Sequence, residues 1–213
     1  MPELLELGAP PKPALCWRFD EPRRAISSAS VGGGLGVRQW VLNAQVPKDY
    51  ARTDLDVHLG ALAAEARCEG EGIGLLTAAS VARYSIGRDG DVVAFATVGL
   101  DVPTWAAAPI GAEAGLVVGT VNIVVFVSHP LRDAALVNAV ATATEAKAQA
   151  LGEQGVPGTG TASDAICVVT PMHGPEEEQF AGPRSRVGAP LARAVHIAVA
   201  DGARHWLRAR DPR

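Results

Sequence analysis

The chain has 213 residues, of which 48% are hydrophobic and 20% charged, and its formal net charge is −4 at pH 7. This length and composition are typical of one globular domain with a sizeable core, and they argue against disorder. The negative charge, together with the lack of any Lys/Arg block, excludes the electrostatic pattern of a nucleic-acid-binding protein. We therefore expect one domain over residues 1–213, preceded by an acidic, Pro-rich and flexible N-terminus at residues 1–13.

The cysteines and the apolar segments predict the cellular compartment of the protein. Cys16, Cys68 and Cys167 are odd in number and form no C-x-x-C pair, which favours a reducing environment over a disulfide framework. The acidic N-terminus is unlike a signal peptide. The longest apolar stretch, around GLVVGTVNIVVFV, is interrupted by Thr120 and Asn122 and is too short to span a bilayer. We expect a cytoplasmic protein with no membrane partner.

The first half of the chain predicts strands and one helix. Strands are predicted at residues 14–19, 23–29 and 38–46, the first two joined by a turn at Asp-Glu-Pro. A helix is predicted from about Asp54 to Arg67, because Leu55, Leu59 and Leu62 recur at helical spacing. Two further short apolar runs bounded by glycine, at residues 72–80 and 91–100, predict strands.

The second half alternates strands with long helices. A loop at residues 101–115 leads to a buried strand at 116–127, and a later strand is predicted at 164–171. Helices are predicted from about Pro130 to Leu151 and from residues 185–190 to about Arg208. Because strands also occur in runs, the pattern favours an α+β fold with one mixed sheet packed by three main helices. An α/β layered sandwich is the alternative.

Two glycine-rich segments invite a nucleotide-binding interpretation. A phosphate-binding loop requires a strand, then the loop, then a helix. VGGGLG, residues 31–36, lies between two predicted strands, and GVPGTGT, residues 155–161, lies between a helix and a strand. Neither order fits. For VGGGLG, turn glycines and a close approach of the backbone to a flat ligand both remain open.

Several polar side chains fall in apolar surroundings. Asn122 interrupts a run that should be buried, so its amide either ties down backbone or lines a pocket. The long helix carries a polar stripe, which is either a solvated face or contains a buried Glu145 in need of a partner; Lys147 is expected on a different face. No histidine or cysteine cluster has ligand spacing, so no metal site is predicted.

The segment GVPGTGTASDAICVV, residues 155–169, places hydroxyls around one acid immediately before a strand. One interpretation is a turn that starts the strand, because Asp and Thr side chains bond readily to nearby backbone. The other interpretation is a functional site. The residues concerned are Thr159, Thr161, Ser163 and Asp164.

The series GTVNIVVFVSHPL, ATATEAKAQAL, GTGTASDAICVV and FAGPRSRVGAPLARAVHIAV resembles the adenosylcobinamide amidohydrolase family in order and spacing. The earlier ISSASVGGGLG, VLNAQV and GIGLLTAASV resemble its N-terminal half, so the resemblance covers roughly residues 25–205. Two positions depart from the family's pattern. Ser163 stands where the pattern usually has Thr, and Val31 stands where a polar residue is expected.

The resemblance implies hydrolysis of the amide that joins aminopropanol to a corrin-ring side chain, giving adenosylcobyric acid in corrinoid salvage. Such chemistry needs a nucleophile or activated water, donors for the oxyanion and an acid for the leaving amine. The implied roles are Asp164 as base or orienting group, Thr161 or Ser163 as nucleophile or oxyanion donor, Glu145 as a second acid–base group and Asn122 as a carbonyl-polarising donor. The corrinoid is the substrate, and no cofactor is expected. The implied substrate-binding residues are Gly32, Gly33, Gly34, Ser28, Asn43, Thr77, Thr120 and Thr159.

Two other functions are alternatives. One is a corrinoid-binding protein without turnover, for which the acids would be dispensable. The other is an amidase that activates itself by cleavage before a Thr or Ser, for instance at Gly119–Thr120. The sequence leaves open the nucleophile, the metal requirement, the tolerance of complete cobamides and whether the chain forms a homo-oligomer.

Overall fold

A computed structural model describes residues 1–109 and 119–210, which form eight strands and three helices. The strands are β1 (Glu3–Leu7), β2 (Lys12–Ser27), β3 (Gly34–Gln45), β4 (Gly72–Thr77), β5 (Ser85–Asp89), β6 (Val92–Gly99), β7 (Thr120–Phe126) and β8 (Ala165–Pro171). The helices are α1 (Leu55–Glu65), α2 (Asp133–Glu153) and α3 (Gly188–Arg210). Residues 110–115 of the predicted loop and 116–118 of the predicted strand lie outside the described residues.

All eight strands belong to one sheet, in the order β4-β3-β2-β8-β7-β6-β5, with β1 beside β2. The pairs β3–β4 and β7–β8 are parallel and the other pairs are antiparallel. The mixed sheet and three helices confirm the predicted α+β class. Strand β5 was not predicted from the sequence.

Strand β2 differs most from the prediction. Two strands joined by a turn were expected, but β2 is one strand of 16 residues whose register shifts between Arg18 and Arg23. The segment that contains Pro22 is therefore a bulge rather than a reversal of the chain, since a bulge accommodates a residue without a backbone N–H. The first half of β2 pairs with β1, so residues 3–7 form an edge strand within the segment expected to be flexible.

The sheet curls so that its inner face packs on itself. Val41 and Ile73 from one half join Phe95, Val124 and Cys167 from the other half in one buried cluster. Helix α1 covers the outer face of β1–β3, and α2 with α3 covers the outer face of β5–β8. In the described part of the chain, no helix is long and apolar enough to cross a membrane.

Candidate active site

A cleft of about 500 Å³ opens where the curled sheet brings β4 towards β7. Its walls come from α1, the end of β4, the start of β7, the loop after β2 and the turn before β8. Six of the residues predicted for the site line it: Ser28, Thr77, Thr120, Asn122, Ser163 and Asp164. Of these, Thr77 is buried and its hydroxyl accepts a hydrogen bond from the backbone N–H of Ala79.

The strand pairing explains why distant segments meet here. Strands β7 and β8 are parallel with Asn122 opposite Ala165, so the start of β7 and the turn before β8 lie at one edge of the sheet. Strand β2 is antiparallel to β8 and ends at the same edge. There the backbone N–H of Ser28 donates to Ile166 O, and Ser28 Oγ accepts from Ile166 N–H, both at 3.0 Å.

The Asp164 carboxylate accepts hydrogen bonds from four donors. Oδ1 accepts from the Val121 N–H at 2.8 Å and lies 2.5 Å from Thr161 Oγ1, while Oδ2 accepts from the Thr161 N–H at 3.1 Å. The fourth donor is the ammonium of Lys147, which also pairs with Oδ2 as an ion pair. Asp164 therefore ties the turn before β8 to the start of β7, and it has no lone pair directed at a substrate.

Sequence reasoning missed Lys147. Its side chain, like that of Asp164, is only 9% exposed. It lies on the face of α2 that packs on the sheet, at helical spacing from Ala143 and Ala150, and this spacing was the available signal. A Cβ at Gly160 would displace both members of the pair, so glycine leaves room for their contact. Lys147 is therefore the buried countercharge of Asp164, whereas Glu145, the helix acid considered in the sequence analysis, is exposed and does not pair with it.

Two hydroxyls converge on one peptide carbonyl beside the pair. Thr161 Oγ1 and Ser163 Oγ lie 2.7 and 3.0 Å from Gly119 O. Ser163 Oγ is also 2.9 Å from Thr120 Oγ1. Because Gly119 O only accepts, the Ser163 hydrogen points to it and the Thr120 hydroxyl donates to Ser163. Thr161 does not line the cleft, whereas Thr120 and Ser163 do.

Asn122 belongs to a buried amide network. Its Nδ2 donates to Leu76 O and to Asn43 Oδ1, both at 2.9 Å, and Asn43 Nδ2 donates to Thr97 Oγ1 at 3.1 Å. The Leu76 carbonyl fixes the orientation of the amide, because a carbonyl only accepts. Asn122 Oδ1 is buried and finds no donor within residues 1–109 and 119–210. The carbonyl-polarising donor role predicted for Asn122 does not fit, since both amide hydrogens are already used.

The predicted glycine contacts have a different physical reason. A Cβ at Gly32 would collide with Gly72 O, and a Cβ at Gly33 would collide with Ala29 O, so both glycines allow close packing of the chain on itself. Gly34 has a φ of +79° and open space around it. None of the three lines the cleft, although the neighbouring residues 28–30 do. The glycines therefore shape the cleft wall rather than touch its contents.

Three other predicted residues lie behind or away from the cleft. Asn43 lies behind Asn122, as described above. Thr159 Oγ1 accepts from the Ala106 N–H at 3.0 Å and fastens a neighbouring loop. Glu145 is exposed on α2 and lines a separate depression that also contains His196. The structure therefore does not bring Glu145 together with Asp164, because the face of α2 that reaches Asp164 carries Lys147 and Glu145 lies on another face.

The mouth of the cleft carries charged and aromatic side chains. Lys48 pairs with Asp101 at 3.0 Å, and Arg52 pairs with Asp54 at 2.6 Å, lowering the pKa of that carboxyl to about 2. Tyr50 Oη lies 2.6 Å from His58 Nδ1, and the two rings stack. Burial lowers the pKa of His58 and raises that of Tyr50. Within the described ranges, no group of three His, Cys, Asp or Glu side chains is placed to hold a metal ion.

Comparisons with known proteins agree with the resemblance noted from the sequence. The family profile described as "CbiZ: Adenosylcobinamide amidohydrolase" matches residues 5–211. A Methanosarcina mazei protein named adenosylcobinamide amidohydrolase is 30% identical over 176 residues, covering 79% of this chain and 84% of that protein. A Halobacterium salinarum protein of the same name is 39% identical over 133 residues, covering 59% of this chain and 55% of that protein.

Among solved structures, the PH0078 protein from Pyrococcus horikoshii OT3 is similar with a TM-score of 0.46 and 13% identity, over 92% of this chain and 77% of that one. No conclusion about function follows from so distant a likeness. The profile match, in contrast, extends over nearly all of the chain, including every residue that lines the cleft. The chain therefore belongs to the adenosylcobinamide amidohydrolase family.

Proposed function

We propose that this protein hydrolyses the amide that joins aminopropanol to a corrin-ring side chain of adenosylcobinamide, giving adenosylcobyric acid. Family membership supports the substrate class. The observation that carries the chemistry is the pair of hydroxyls, Thr120 and Ser163, which line the cleft directly above the buried Asp164–Lys147 pair. Amide hydrolysis requires hydroxyl or water nucleophiles held in a defined geometry beside hydrogen-bond donors.

The cleft suits the linear arm of the substrate. Its volume of about 500 Å³ lies within the range of small-molecule sites, roughly 300–1,000 Å³. The apolar side chains of Val46, Leu55 and Leu59 form part of the wall and suit a propanolamide arm. The cations at the mouth are paired with carboxylates, so the arm enters a region with little uncompensated charge. In this proposal the corrin ring stays at the mouth.

Asn122 supplies the polar contact for the arm. Asn122 is only 1% exposed, and its buried Oδ1 has no donor in the described structure, which is costly unless a ligand provides one. A secondary amide offers one N–H. We assign Oδ1 to that N–H, which would orient the scissile carbonyl towards the Thr120 and Ser163 hydroxyls. Asp164 then acts as a positioning residue, because its four hydrogen bonds fix the turn and strand that carry those hydroxyls.

The test is to incubate the purified protein with adenosylcobinamide and to follow adenosylcobyric acid and aminopropanol by mass spectrometry. Equal amounts of both products are expected. Ser163→Ala should lower the rate by at least tenfold. Ser128 is exposed just after the C-terminal end of β7, so Ser128→Ala is the control and should leave the rate unchanged. A protein that binds the corrinoid but releases no aminopropanol would instead be a binding protein without turnover, and the proposal would be wrong.

A further inference from the structure

Among the residues that the structure describes, the cleft holds hydroxyls but no side chain that is free to take their protons. Its titratable lining residues are Lys48, Tyr50, Arg52 and Asp164. The two cations are engaged by carboxylates, and the Tyr50 hydroxyl is engaged by a ring nitrogen of His58. Asp164 already accepts from four donors. Among the described lining residues, then, none offers a free lone pair of a base to Thr120 or Ser163.

The carbonyl of Gly119 has the surroundings of an oxyanion site. Ser163 Oγ donates to its oxygen at 3.0 Å, within the distances at which donors stabilise a developing oxyanion, roughly 2.7–3.1 Å. Thr161 Oγ1 lies 2.7 Å from the same oxygen, but its one hydrogen is given to Asp164 Oδ1. The next residue is Thr120, whose hydroxyl is covalently tethered beside that carbonyl carbon and is hydrogen-bonded to Ser163. A nucleophile, a carbonyl and one oxyanion donor therefore meet at one peptide bond.

We infer that the protein cleaves its own Gly119–Thr120 peptide bond and that the new α-amine of Thr120 is the missing base. The cleavage itself follows from the geometry around Gly119. The catalytic use of the amine rests on the proposed function, because it concerns the hydrolysis of the corrinoid amide.

The cleavage balances as an acyl shift followed by hydrolysis. Thr120 Oγ1 attacks the Gly119 carbonyl carbon, and the C–N bond breaks as the Thr120 nitrogen takes the hydroxyl proton. An ester then joins Gly119 to Thr120 Oγ1. One water hydrolyses this ester, its hydroxyl going to Gly119 and its hydrogen to Thr120 Oγ1. The products are a carboxylate at Gly119 and an amine at Thr120, from one peptide bond and one water.

The amine would then serve the substrate reaction. A terminal amine activates the hydroxyl of its own threonine in other hydrolases. Here it takes the Thr120 proton as Oγ1 attacks the scissile carbonyl, and it returns the proton to the leaving aminopropanol. Water cleaves the resulting acyl ester and releases the corrinoid acid. Since Thr120 lines the cleft, its hydroxyl already faces the space in which the arm is proposed to lie.

The test is the intact mass of the purified protein under denaturing conditions. We expect two fragments, one ending at Gly119 and one beginning at Thr120 with a free amine, in place of the 22.0 kDa chain. Thr120→Val, close to threonine in shape, should remain uncleaved and inactive, whereas Thr120→Ser should still cleave. Ser163→Ala should slow cleavage by about 10²-fold, as for loss of one oxyanion donor. Thr144→Val, which alters an exposed hydroxyl on α2, is the matched control and should cleave normally.

The outcomes separate this inference from the proposed function. An intact chain that hydrolyses adenosylcobinamide overturns the inference and leaves the function standing. A chain cleaved before Thr120 that produces no adenosylcobyric acid supports self-cleavage and overturns the function. An intact, folded and inactive chain overturns the inference as well, and so does cleavage of Thr120→Val at the same bond, because a contaminating protease would then be the cause.

Discussion

Replacing Asp164 with Asn should destabilise the protein strongly, although an exposed turn aspartate would tolerate this change. The asparagine amide has the shape of the carboxylate but turns one acceptor into a donor. If the NH₂ group replaces Oδ2, it faces the Lys147 ammonium and the Thr161 N–H; if it replaces Oδ1, it faces the Val121 N–H. Either orientation leaves donors without an acceptor and leaves Lys147 buried without a countercharge.

The magnitude follows from the burial of the pair. Both side chains are 9% exposed, and removing one partner of a buried ion pair typically costs about 3–5 kcal/mol. For a chain of 150–250 residues, about 2–4 °C is lost per kcal/mol, so the melting temperature should fall by about 6–20 °C. Asp201→Asn removes an exposed ion pair with Arg204 and should change stability by less than about 1 kcal/mol.

A double-mutant cycle assigns the loss to the pair itself. Lys147→Met in the Asp164→Asn background removes the uncompensated charge, so the double variant should be more stable than Asp164→Asn alone. Its hydrolysis rate should nevertheless stay about 10²-fold below the parent's, the size of effect expected when catalytic groups are misplaced by about 1 Å, since the fastening of the turn is still lost. Urea unfolding and turnover are measured on the same preparations. Two results would refute the reasoning. One is a melting temperature of Asp164→Asn within 2 °C of the parent's, roughly the smallest shift expected per kcal/mol. The other is that the losses of unfolding free energy at positions 164 and 147 are strictly additive.

Three further expectations concern the cleft and its surroundings. Asn122→Leu keeps the approximate volume but removes Oδ1, and with it the Nδ2 donor to Leu76 O and Asn43 Oδ1. It should weaken corrinoid binding by about tenfold in calorimetry, the equivalent of one hydrogen bond of about 1.4 kcal/mol. Unchanged affinity would remove Oδ1 from the site. Glu145→Gln should leave turnover within about twofold of the parent, because Glu145 is exposed in a separate depression, and a 10²-fold loss, the size of a general acid–base effect, would return it to the mechanism. Burial lowers the pKa of His58 below its usual 6.5. NMR should therefore show the ring neutral at pH 7 and protonated only when the pH falls below 6.5. A midpoint at or above 6.5 would contradict this.

Much of the fold could be predicted from the sequence because most helices and strands are marked by local sequence patterns. Apolar runs, glycine boundaries and helical spacing placed β7, α2, β8 and α3 close to their observed positions. The break inside β2 was misread for the same reason. A Pro-containing polar segment predicts a turn locally, but pairing with β3 on both sides of the shift keeps the strand continuous. Only tertiary contacts distinguish a bulge from a reversal there.

The site was predictable in part. Asn122 and the turn around Asp164 stood out because polar groups were set against apolar strands, and both line the cleft. Lys147 did not stand out, since a lysine on a helix is usually solvated and its partner lies 17 residues away on another element. The glycines after β2 were expected to meet a ligand, but Gly32 and Gly33 meet the chain's own carbonyls and Gly34 faces open space. Residue type indicates that a close approach occurs, and only the fold identifies the group that approaches.

The buried ion pair makes sense as a device for position rather than for stability. An apolar pair of similar volume would often stabilise a core as well or better. An apolar pair, however, could not accept hydrogen bonds from two backbone segments at the same time. One carboxylate accepts from the N–H of Val121, next to Thr120, and from the N–H of Thr161, two residues before Ser163. Lys147 pairs with that carboxylate and holds it in the interior, so the 2.9 Å separation of the Thr120 and Ser163 hydroxyls depends on how this one side chain is placed.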